Sequence, residues 1–149
     1  MKYSEIISNK LNELLIKNFD AEKGYENAIE NVESPKLKAF FKMQSEQRGK
    51  FARELRLEIL KFGQIPEESG SIAGTLHRNW MTLKSLFKSN NEEAILDEAL
   101  RGEEASLSDY DEILSETNLP LSIENMLIEQ KQSIQRAINK LKLEEELVS

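Results

Sequence analysis

Apolar residues recur at three- and four-residue spacing through most of this 149-residue chain, in runs long enough to need helices of about thirty residues. Ile7, Leu11, Leu14, Leu15, Tyr25, Ala28, Ile29 and Val32 form one stripe, interrupted at Asn18 and around Ala21 and Glu22, and predict a helix over about 3–33. Ser34 followed by Pro35 is an N-cap with proline at the first helical position, where its missing N–H costs nothing. The helix it opens, 35–62, carries Leu37, Phe40, Phe41, Gln44, Gln47, Arg48, Phe51, Leu55 and Ile59, and Gly63 supplies a C-terminal cap. Residues 64–71, with Pro66 and Gly70, read as a loop. Leu76, Trp80, Leu83 and Phe87 mark a shorter amphipathic helix over 72–88. Asn91, with Glu92 and Glu93 behind it, caps a helix over 91–117 whose stripe includes Ile95, Leu96, Ala99, Glu103, Leu107 and Tyr110. Pro120 opens the last, 120–146, lined by Ile123, Leu127, Gln130, Ile134, Ala137, Ile138 and Leu141.

Connection lengths then suggest a topology for one domain, 1–149. The first two helices are joined by one or two residues and the last two by a few, so each pair is expected to be an antiparallel hairpin. The middle link, roughly 27 residues from Gln64 to Asn90, is long enough to travel the length of a helix, about 42 Å at 1.5 Å per residue. The expectation is an all-α, ferritin-like four-helix bundle: two hairpins joined by a long crossover containing the short extra helix, with Trp80 as its anchor.

Composition narrows the function classes. With 27 acidic against 20 basic side chains the formal charge is −7, and that field repels phosphate backbones and anionic lipid surfaces, so neither nucleic acid nor membrane is expected as a partner. Lys2, Glu5, Lys10, Glu13 and Lys17 interrupt Met1–Phe19, which lacks the apolar core of a signal peptide or a membrane span. The chain has no cysteine, and the cytoplasm is the expected location.

Gly24-Tyr25-Glu26-Asn27-Ala28, Leu76-His77-Arg78-Asn79-Trp80-Met81, and Gly102-Glu103 followed by Tyr110 resemble a group of small bacterial ferritin-like four-helix-bundle proteins catalogued as a domain of unknown function. The likeness runs over nearly the whole chain, and the Trp80 segment carries it best, because helix periodicity does not require a tryptophan there. The resemblance implies a fold and a bacterial origin, and brings no assigned reaction.

A di-iron site in such a bundle needs a glutamate from each of two helices and Glu-x-x-His from each of the other two. Here Glu103 stands seven residues before Tyr110, but the position seven before Tyr25 is Asn18. Glu46-x-x-Gly49 and Glu129-x-x-Gln132 lack the histidine, and the chain's one histidine is His77. No conventional ligand set remains, so no metal, cofactor or catalytic residue is assigned. In its place, Asn18, Gln44, Gln47, Glu103 and Gln130 fill gaps in the stripes and are the candidates for an inward polar layer that fixes helix register. The competing reading puts two or three of them on the solvated flank. An inward Glu103 requires Arg48 or a raised pKa to settle its charge.

His77 has no nucleophile or second histidine to act with and is read as a surface or loop-packing residue. Phe41, off the centre of its stripe, is read as core or as an oligomer contact. The functional expectation is a non-catalytic bundle acting through its surface, as a homo-oligomer or with a protein partner, in a stress-associated setting. The alternative is a degenerate metal or small-molecule site in the bundle core.

Overall fold

The structure is a computed structural model and describes residues 2–68, 92–116 and 118–148. Four long helices account for most of them: α1 (Tyr3–Asn31), α2 (Pro35–Lys61), α3 (Glu92–Ser115) and α4 (Leu121–Val148). No strand occurs among the described residues.

The boundaries have local causes. Ser34 Oγ accepts the Leu37 amide at 3.3 Å, with Pro35 as the first helical residue of α2. At the other end Gly63 adopts φ +74°; its amide donates to Leu60 O at 2.9 Å and that of Gln64 to Ile59 O at 3.2 Å. This pair of bonds is a Schellman motif, and glycine accepts its left-handed conformation without strain. Between α3 and α4 the left-handed residue is Asn118, φ 72°, a residue type that tolerates the region better than most.

Cross-helix pairs give the directions. Ser45 Oγ donates to Glu22 O and Arg48 meets Asn18, so α1 and α2 are antiparallel. Lys10 pairs with Glu116 and Lys17 with Asp109, making α1 antiparallel to α3. Lys36 pairs with Glu144 and Gln47 with Ser133, making α2 antiparallel to α4. Hence α2 and α3 run parallel. α2 ends at the end of the bundle where α1 begins, and α3 begins at the opposite end.

The core consists of two apolar clusters. One gathers Ile7, Leu11, Leu55, Ile59, Ile113 and Leu127; the other gathers Tyr25, Val32, Phe41, Ile95, Leu96 and Leu141. Each fully buried large apolar side chain contributes about 1.5–3 kcal/mol relative to exposure, and this burial is the main force closing the bundle. Phe41 is fully buried with its ring centroid 5.7 Å from that of Tyr25, which makes it a core residue and removes the oligomer-contact reading. The expected helix over 72–88, the crossover, Trp80 and His77 lie outside the described residues.

Candidate functional site

Where the two apolar clusters meet, the stripes are broken by polar side chains: Asn18 between Leu15 and Ala21 on α1, Arg48 between Phe41 and Phe51 on α2, and Glu103 between Ala99 and Tyr110 on α3. Burying a charge there is costly unless it is paired and hydrogen-bonded. Arg48 Nη2 donates to Glu103 Oε2 at 2.8 Å, and its Nη1 donates to Asn18 Oδ1, also at 2.8 Å. Tyr25 Oη donates to the other Glu103 oxygen, Oε1, at 2.5 Å. The Asn18 amide Nδ2 donates to Leu14 O at 2.8 Å and to Tyr110 Oη at 3.0 Å. Tyr110 Oη donates to Gln130 Oε1 at 2.6 Å, and Gln130 Nε2 donates to Glu54 Oε1 at 3.1 Å. All four helices contribute, and a continuous chain of bonds runs from Tyr25 to Glu54, which is only half-buried.

The layer is reciprocal across the α1–α3 pair. Each helix places a polar residue two turns before a tyrosine, Asn18 before Tyr25 and Glu103 before Tyr110. Because the helices are antiparallel, each polar side chain meets the other helix's phenol. Arg48 on α2 and Gln130 on α4 then close the two flanks.

Electrostatics follow from this geometry. Burial works against the Arg48 charge, but the adjacent Glu103 carboxylate outweighs it and raises its pKa on balance, so it stays a cation. Burial, reinforced by the neighbouring Glu103 carboxylate, pushes the Tyr25 phenol well above its usual range, against the opposing pull of Arg48. Burial does the same to Tyr110, partly offset by Arg48 and by the Asn18 hydrogen bond. Both phenols are held neutral as donors.

Asn18, Glu103 and Gln130 are fully buried in the layer. Gln44 and Gln47 are not: both are half-buried at the α2–α4 seam, where Gln47 Nε2 meets Ser133 Oγ at 3.4 Å. The buried residues on this stretch of α2 are Phe40, Phe41, Ser45 and Arg48, and the two glutamines sit at the edge toward α4. Tyr25, Tyr110 and Glu54 are network members that the stripe gaps do not flag, because a tyrosine fits an apolar stripe. The signal that could have found the phenols is that a buried tyrosine hydroxyl usually needs a partner.

This donor set does not fit a conventional di-iron centre. The layer's one fully buried carboxylate, Glu103, has both oxygens committed, one to a guanidinium and one to a phenol. Among the described residues, no group of three or more His, Cys, Asp or Glu side chains is placed to hold a metal ion. No helix among them is long and apolar enough to cross a membrane.

The family described as Domain of unknown function (DUF2383) matches residues 6–116, and the chain belongs to it. No curated protein matches the chain. The match takes in Asn18, Tyr25, Arg48, Glu54, Glu103 and Tyr110, and leaves Gln130 and α4 outside it.

Proposed function

We propose that this member of the DUF2383 family is a non-catalytic bundle that works through its surface, by self-association or by binding a protein partner, with its polar layer serving to fix the fold. The observation that carries this reading is Arg48. In the middle of the layer a resident guanidinium balances the buried carboxylate, and the amides of Asn18 and Gln130 are bonded at both ends. A metal ion entering there would have to displace a cation held by charge-assisted bonds, which are roughly twice as strong as neutral ones. The test is elemental analysis of purified protein after incubation with ferrous iron and manganese, beside a Glu103→Ala variant. The reading expects no retained metal in either. Near-stoichiometric metal in the wild type that is lost in the variant would restore a core metal site.

The ferritin-like crossover belongs to the same proposal. Two observations support it: α2 ends and α3 begins at opposite ends of the bundle, and Ile16, Asp20 and Gly24 are buried at four-residue spacing on the side of α1 turned away from Asn18. A connection laid along that face, anchored by Trp80, would account for both. Trp80 emission should then be blue-shifted in the native protein and move to longer wavelength on unfolding; native emission that is already solvent-like would contradict it. A cytoplasmic location in a bacterium is part of the same proposal, supported by the absence of cysteine.

A further inference from the structure

Two clefts of about 230 and 240 Å³ adjoin along the seam between α2 and α4 and share Gln47, Ser133 and Arg136. The cleft toward Gln130 is also lined by Lys50 and by the carboxylates of Glu54 and Glu129. At the end nearer Phe40, Met43 and Ala137 form the apolar part of the wall and Gln44, Gln47, Ser133, Arg136 and Lys140 the polar part, and among the described residues no carboxylate lines it. That is notable on a chain of net charge −7, whose average surface repels anions.

The groups at this end are donors in excess of their acceptors. Arg136 Nη2 and Gln47 Nε2 both donate to Ser133 Oγ, at 2.9 and 3.4 Å, leaving the Ser133 hydroxyl proton to point elsewhere. Arg136 and Lys140 stand four residues apart and share one face of α4. Lys140 Nζ lies 5.7 Å above the Phe40 ring, close enough for the ring to attract the ammonium at the groove's rim. A planar guanidinium fork, an ammonium, a hydroxyl and two amides on the walls of one cleft match the oxygens of a phosphate or carboxylate group.

We propose that this end of the α2–α4 groove is a binding site for a small molecule bearing a phosphate or clustered carboxylates, with Arg136 and Lys140 as its charge partners and Ser133 and Gln47 fixing its orientation. The site lies on the surface and does not depend on the role of the buried layer.

The test is calorimetric titration of the full chain at low ionic strength with inorganic pyrophosphate in one arm and citrate in the other. The wild type is compared with Arg136→Gln, Lys140→Gln and a control, Lys42→Gln, on α2 outside the groove. All three positions are exposed, so folding is not at stake, and helical circular dichroism verifies it. Saturable one-to-one binding of either anion, weakened about tenfold or more in each groove variant and unchanged in Lys42→Gln, is the expected result. The arm that binds identifies the anion's chemistry. No saturable binding in either arm, or equal weakening in Lys42→Gln, would overturn the site.

Discussion

Arg48 and Glu103 lie 55 residues apart in sequence, on parallel helices, and meet at 2.8 Å with their side chains 2% and 1% exposed. A buried ion pair is weak evidence of stability by itself, since desolvating two charges offsets much of their attraction. Its effect here is on register. Sliding α2 along α1 and α3 would draw the guanidinium away from Asn18 and Glu103 and leave a charge buried alone.

Tyr110 bridges two amides, accepting from Asn18 and donating to Gln130. Tyr110→Phe keeps the ring and strands the buried Gln130 carbonyl oxygen. Urea unfolding should show a loss of about 1–3 kcal/mol. Tyr3→Phe, at an exposed position, should leave the midpoint unchanged.

The two buried phenols make stability sensitive to alkali. Folding raises the pKa of Tyr25 and of Tyr110 above the unfolded value of about 10, so the unfolded chain loses these protons first. Their contribution is intact below that pH and drains away as pH rises through and beyond it. Denaturation midpoints followed from pH 8 upward should fall above about pH 10. The fall should be shallower in a Tyr25→Phe, Tyr110→Phe double variant.

Gly49 sits inside α2 with Glu22 folded over it; a Cβ there would come within 2.5 Å of Glu22 Oε2. The obstructing atom is the tip of a flexible side chain, and glycine in a helix interior costs about 1 kcal/mol relative to alanine. Gly49→Ala should therefore raise stability by up to about 1 kcal/mol, read as a higher urea midpoint. A loss would mean that Glu22 cannot swing aside.

Periodicity carries most of the fold. Proline, serine and glycine signals at Ser34, Pro35 and Gly63 placed the α2 boundaries to within a residue of those observed, because cap chemistry is local. The far ends of α1 and α3 stop two residues short of where the stripes predict, since no cap residue stops the pattern. The layer was legible in part: Asn18, Glu103 and Gln130 interrupt otherwise apolar faces, and each is buried. On α2 the polar part of the stripe is broader than the buried face. Gln44, Gln47 and Arg48 share one i, i+3, i+4 face, yet the two glutamines sit half-buried at its edge toward α4 and only Arg48 finds a charge to meet. Sequence spacing does not say which residue of a broad stripe has a partner across the bundle.

Arg48 and Glu103 together lock the layer. A double-mutant cycle in urea, using Arg48→Met, Glu103→Leu and the pair together, measures that coupling. Each single variant should lose about 3–5 kcal/mol, because each strands a buried charge, and the pair should lose far less than their sum. Small, additive losses would show instead that the two side chains act independently and that the layer is no lock.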